Sequence, residues 1–341
     1  MVNTKKSIVY DITKFISVIL VVVAHSTRMY TANGAFNPLN DSQVLAFVTD
    51  YIYKFHMPLF ILVSGAIFGL CIEKGKYTNI PSFIVNKAKR LLLPYFFFGI
   101  AYVAPAMCLL GLTNQSFLEY SFKGIILSLN SRHLWYIFAL FFIFLLAIFA
   151  RPLLIKSRKS RFLVLVLSGV LYLLSSKLPY EFQISTSFSY QLYFFVGVIL
   201  NYEYTFVQKV FKKLFFVFFL TPIALAGMFV FNPNIITDLC YKFLGIIMVI
   251  FIGYCIVKWF EGFTDTYVYK IISKNSFGIY LFNPIIIYIF YYFLGPIDIN
   301  PYVLSFGIAV VSLLVSVGAT ELMRRFRLYL LIGETKQINN A

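Results

Sequence analysis

Proton chemistry in this chain rests on three histidines, His25, His56 and His133. Imidazole is the side chain that changes charge closest to neutral pH, so it is the natural general base or proton carrier. His25 sits near the end of DITKFISVILVVVAHS (residues 11–26), a largely apolar run that opens with Asp11 and Lys14. His56 lies in KFHMPLFILVSG (residues 54–65), and His133 lies in SRHLWYIFAL (residues 131–140), two residues before Trp135. Three imidazoles raise the question of zinc. No two of them share a helix at ligand spacing and no carboxylate is fixed beside them, so no metal is expected.

Lys14 and His25 are eleven residues apart. At about 100° per residue that is three turns plus about 20°, which puts both on one face of a helix, roughly 16 Å apart along its axis. Asp11, three before Lys14, and Arg28, three after His25, fall near the same stripe. Charge inside a bilayer costs at least a few kcal/mol, so such a stripe is expected to face a bundle interior or a water-filled cavity. A plain Asp11–Lys14 pair, with the lysine reaching to the interface, accounts for the first two residues. It does not account for His25. A second basic pair, Lys87 and Arg90 in NKAKRLLLPY (residues 86–95), is spaced to share a helical face. It reads either as a charged flank or as a clamp for phosphate. His133 beside Trp135 suits an interfacial anchor equally well.

The elements that must position these residues are membrane helices. The chain is 60% hydrophobic and only 12% charged, against roughly 25% charged in soluble domains. Ten apolar stretches are expected to form transmembrane helices, at 8–30, 46–72, 91–111, 133–150, 161–178, 188–202, 212–231, 239–260, 271–294 and 303–323. Pro58 and Pro284 interrupt the second and ninth. The connecting segments alternate. One set is rich in cations: Lys5 and Lys6, then Lys74 to Arg90, Arg151 to Arg161, Lys209 to Lys213, Lys258 to Lys274, and Arg324 to Lys336. The other set holds only Lys123, Arg132, Lys177 and Lys242. That alternation predicts an all-α bundle of about ten spans with both termini cytoplasmic, and it places all three histidines toward the outer leaflet. It also accounts for the formal charge of +16 without a nucleic-acid partner. Cys71, Cys108, Cys240 and Cys255 are expected to be buried thiols, neither a disulfide framework nor a zinc site. No soluble domain is expected at either end, so residues 1–341 form a single transmembrane unit.

These motifs together resemble membrane acyltransferase family 3, which includes many bacterial cell-surface O-acetyltransferases. The resemblance rests on Lys14 and His25 with Asp11 before them, FHMPLFILVSG (residues 55–65), Lys87 and Arg90 leading into LLLPYF, His133 to Tyr136, and SFGIYLFN (residues 276–283). It spans nearly the whole chain. Two positions depart from the family pattern. Lys14 stands where many members have arginine, which loses the planar fork. Asn283 stands where a histidine is common, which loses a proton shuttle.

The resemblance implies transfer of an acyl group, usually acetyl from acetyl-CoA, to a hydroxyl of a cell-envelope sugar or polysaccharide at the bacterial cytoplasmic membrane, in company with envelope glycan synthesis machinery. His25 would serve as base or acyl carrier, Lys14 and Asp11 would support it, and Lys87 and Arg90 would hold the coenzyme A phosphates. His56, His133, Trp135 and Asn283 would line or support the acceptor site. A transporter or flippase for a glycan or small solute is the alternative that interior charges and proline-broken helices also suit.

Overall fold

The computed structural model describes residues 2–227 and 234–335. The side chain of Lys5, the whole of Lys336 and the end of the stretch 212–231 lie outside the described residues. Among those described, the chain is helical without any strand. Its principal helices are α1 (Val2–Thr27), α2 (Gln43–Tyr53), α3 (His56–Glu73), α4 (Ile80–Phe98), α5 (Trp135–Lys156), α6 (Arg158–Leu174), α7 (Ile184–Tyr202), α8 (Tyr204–Lys213), α9 (Ile235–Trp259), α10 (Tyr267–Leu294) and α11 (Pro301–Arg325).

Eight helical runs among the described residues are long and apolar enough to cross a membrane: Lys6–Tyr30, Gln43–Glu73, Ile80–Leu109, Arg132–Lys156, Arg158–Lys177, Ile235–Trp259, Tyr267–Leu294 and Pro301–Arg325. Two of the ten expected stretches differ. Residues 188–202 lie in α7, a helix of 19 residues whose first half carries Ser185, Thr186, Ser187, Ser189 and Gln191. Residues 212–231 do not form one helix. Their described part is divided between the end of α8 and the short helices Phe215–Phe218 and Thr221–Gly227.

The polar first half of α7 is tolerated because this helix is packed inside the bundle. Its main partner is α3, and glycines let the two backbones meet. A Cβ added at Gly65 of α3 would lie 2.0 Å from the Phe194 carbonyl oxygen, and one at Gly197 of α7 would lie 2.0 Å from the Leu62 carbonyl oxygen. Close approach of this kind replaces the hydrophobic drive that lipid does not supply. The buried Gln191 donates to the Ser168 carbonyl at 2.8 Å, which also ties α7 to α6.

α1 contacts α2, α3, α9, α10 and α11. Its middle is packed tight: Thr13 and Ser17 are fully buried, and each folds its hydroxyl back onto the carbonyl one turn earlier, Val9 and Thr13 respectively. That satisfies the hydroxyls without a partner helix. At one end of the bundle Lys6 pairs with Glu73 at 2.6 Å, and Asn201 donates to the same carboxylate at 3.0 Å. The start of α1 therefore sits with the ends of α3 and α7. At that end too, Arg158 at the start of α6 pairs with Glu203 just after α7. Arg324 near the end of α11 binds Glu321, Glu334 and Asn275, and Lys274 binds Glu321 at 3.0 Å. Many of the cation-rich segments thus gather at one end of the helices.

The break in the second apolar stretch falls at Lys54 and Phe55, between α2 and α3. Pro58 then lies in the first turn of α3, where its missing N–H has no intrahelical partner to lose. Pro284 behaves differently, because α10 runs through it unbroken.

Candidate active site

The three histidines come from three helix ends. His25 is in the last turn of α1, His56 begins α3, and His133 lies in the turn Arg132–Leu134 that leads into α5. All three line one cavity of about 520 Å³. Arg28, Tyr53, Arg132, Trp135, Gln183, Tyr190, Tyr280 and Tyr288 line it with them. This end of the bundle is opposite the one where Lys6, Glu73 and Asn201 meet.

Local geometry sets the histidine tautomers. His56 Nδ1 is 3.1 Å from the Ile52 carbonyl at the end of α2, a group that can only accept. That nitrogen therefore carries the proton, and Nε2 is the basic one. His133 is reversed: Nε2 donates to the Leu281 carbonyl at 3.1 Å, and the buried Nδ1 has no partner. The Leu281 carbonyl, one turn before Pro284, has a second lone pair for this bond. The neighbouring Phe282 carbonyl accepts from Tyr102 at 3.0 Å in the same way. Tyr280 also donates to the His133 carbonyl. His25 Nδ1 meets the Tyr53 hydroxyl at 3.3 Å, and its Nε2 makes no hydrogen bond among the described residues. The Tyr53 ring also packs edge-on against His56, with centroids 4.7 Å apart. Among the described residues each histidine thus keeps one ring nitrogen without a hydrogen-bond partner. Among the described residues no group of three or more His, Cys, Asp or Glu side chains is placed to hold a metal ion.

Trp135 packs on Tyr190, centroids 5.0 Å apart. Such faces suit the apolar side of a sugar ring. The loops beneath are held in rare backbone shapes. Ser128, Arg132, Phe182 and Gln183 all have φ between +51° and +57°. Left-handed non-glycine residues carry strain and persist only where the surroundings enforce them. Here Phe182 N–H donates to the Leu127 carbonyl at 2.8 Å, and Gln183 Nε2 donates to the Ser128 carbonyl at 2.5 Å.

The remaining residues singled out from the sequence lie elsewhere. Lys14 does not line the cavity. Between it and His25 the helix is closed by packing, with Val18, Val21 and Val22 each 3% exposed. Asp11 is exposed and interacts with Ser7 as well as Lys14. Lys87 and Arg90 do not precede the third apolar helix but lie within it, since α4 begins at Ile80 behind an Asn79 cap. The Lys87 ammonium sits 3.6 Å from the centre of the Phe144 ring, with Phe83 and Tyr77 further round it. Arg90 Nε donates to the Gly333 carbonyl at 3.0 Å. Arg90 acts electrostatically on both Lys14 and Lys87, so the three cations share one neighbourhood. Asn283 is fully buried against α11, donating to Ser312 at 2.9 Å, and does not reach the cavity.

Arg28 stood on the first helix's polar stripe, but its place in the site was not legible. Tyr53, Arg132, Gln183, Tyr190, Tyr280 and Tyr288 were missed outright. Two of them adjoin motifs already marked: Arg132 precedes His133, and Tyr280 lies in SFGIYLFN.

The fold and the site define a multi-pass helical membrane protein with a polar, histidine-lined cavity at one end. A family model described as an acyltransferase domain matches residues 8–321, and the chain belongs to membrane acyltransferase family 3. Neither the curated proteins nor the solved structures include a match to it.

Proposed function

We propose that the protein moves an acyl group, acetyl in the first instance, from acyl-CoA to a hydroxyl of a cell-envelope sugar or polysaccharide. The observation that carries this reading is the convergence of all three histidines, with Trp135 and Tyr190, on one cavity in a chain of an acyltransferase family. His25 is the base. With Nδ1–H directed at Tyr53, its Nε2 takes the proton of the acceptor hydroxyl as that oxygen attacks the thioester carbonyl. The carbon–sulfur bond breaks, the ester forms, and the CoA thiolate recovers the proton. The same Nε2 would carry the acyl group if transfer proceeds in two steps.

The donor belongs at the opposite, basic end. Arg90 keeps its terminal guanidinium nitrogens free of hydrogen bonds among the described residues. With Lys14 and Lys87 beside it, it supplies the charge that CoA phosphates need. In this reading α7 and the described helices between Tyr204 and Gly227 complete ten spans. Both termini are cytoplasmic, the basic end faces the cytoplasm, and the histidine cavity faces outward in a bacterial cytoplasmic membrane, where glycan synthesis machinery supplies acceptor. The test is transfer of radiolabel from acetyl-CoA to base-deacylated envelope glycan by the purified protein. Label transfer is expected from wild type and lost in His25→Ala. Transfer that survives the substitution overturns the role of His25, and glycan movement without acetyl-CoA turnover overturns the reaction.

A further inference from the structure

Arg28 and Arg132 line the histidine cavity together, and both also line an adjoining open recess of about 490 Å³. Neither lining contains an aspartate or glutamate. Among the described residues neither arginine forms an ion pair, whereas Lys123 pairs with Glu119 and Lys242 with Asp238. Asp50 shares a third recess with Arg28 but is not ion-paired to it.

Uncharged acceptors orient both guanidiniums. Arg28 Nε reaches the Asn33 carbonyl at 3.3 Å and Nη1 the Tyr53 hydroxyl at 3.5 Å. Arg132 Nε lies 3.2 Å from Met107 Sδ, and Nη2 donates to the Leu112 carbonyl at 3.1 Å. Among the described residues Arg28 Nη2 makes no hydrogen bond, and Arg132 meets one more uncharged group, the Tyr120 hydroxyl. The strained backbone at Arg132 (φ +51°) is consistent with a side chain held in place for a purpose beyond packing. Two oriented, uncompensated guanidiniums beside three imidazoles form a site for an anion.

We propose that the acceptor is anionic: a carboxylate or phosphate on the glycan sits between Arg28 and Arg132 while the neighbouring hydroxyl faces His25. The proposal rests on the acyl-transfer reading for its hydroxyl, and on the two arginines for its charge.

The test uses base-deacylated envelope polysaccharide of the producing cell in three portions: untreated, carboxyl-reduced, and dephosphorylated with hydrogen fluoride. The chain has two tryptophans, so in Trp259→Phe protein the emission reports Trp135 in the cavity alone. Untreated glycan is expected to quench it saturably. One of the two treatments should weaken binding about tenfold, the scale of a charge-assisted contact; which treatment does so tells carboxylate from phosphate. Arg132→Gln and Arg28→Gln should each weaken binding of the untreated portion about tenfold and abolish the preference. Arg28 lies outside the strained loop, so its variant separates loss of charge from loss of loop structure. No saturable quenching, or all three portions binding within twofold of one another, overturns the anionic acceptor. Label transferred equally to all three portions overturns it while leaving acyl transfer intact. A clear anion preference without any label transfer does the reverse.

Discussion

Tyr53 is the residue through which the cavity's polar groups communicate. Its hydroxyl meets His25 Nδ1 at 3.3 Å and Arg28 Nη1 at 3.5 Å, and its ring lies under the Arg28 guanidinium and against His56. Removing the hydroxyl alone keeps the ring contacts and releases the imidazole. Tyr53→Phe is therefore expected to lower kcat about tenfold, the worth of one orienting hydrogen bond, with KM for acyl-CoA unchanged. His25→Ala should cost far more, on the order of 10²–10⁴ in kcat, because it removes the proposed base. Steady-state kinetics on both variants decides the order. Equal losses from the two substitutions would mean that Tyr53 acts on the reacting atoms itself.

At the scale of elements the α3–α7 contact is the tightest test of the packing. Gly197→Ala puts a methyl 2.0 Å from the Leu62 carbonyl oxygen, so the helices must separate. A loss of about 1–3 kcal/mol is expected, read as a lower melting temperature in detergent. Gly169→Ala in α6 meets nothing within 4 Å and should be neutral, or gain up to about 1 kcal/mol from the lower backbone entropy of alanine. The same contact explains what the sequence could and could not reveal. Of the ten stretches expected to cross, eight correspond to helical runs long and apolar enough to do so, because lipid-facing surface leaves that signature. The stretch 188–202 was expected to cross too, but it belongs to α7, whose Ser185, Ser187 and Gln191 are bonded inside the bundle. Charge interrupts the apolar run at Lys87 and Arg90, so the sequence placed them ahead of the third helix and not within it. In the fold Lys87 turns onto aromatic rings and Arg90 onto a backbone carbonyl, partners that no linear spacing discloses. The cavity's histidines were legible as residue types, and its tyrosine walls, Tyr53, Tyr190, Tyr280 and Tyr288, were not, because nothing in the sequence sets them apart among 25 tyrosines.

Across the whole molecule the proposed reading divides the chemistry between two ends, joined by α1. Lys14 stands near Arg90 and Lys87 at the basic end, His25 stands in the cavity at the other, and the buried Val18, Val21 and Val22 lie between them on α1, so the acyl end of the donor must reach the cavity from a site about three helical turns away. A divided site predicts divided kinetics. Arg90→Gln and Lys14→Gln should raise KM for acetyl-CoA about tenfold each while leaving KM for the glycan unchanged, since removing a phosphate contact weakens donor binding alone. Arg28→Gln should do the opposite. CoA lacking its 3′-phosphate provides the control: wild type should prefer intact acetyl-CoA over the dephospho form, and Arg90→Gln should lose that preference while Arg28→Gln keeps it. If the Arg28 variant lost discrimination between the two donors, the donor would enter at the histidine cavity, and the assignment of the two ends would have to be exchanged.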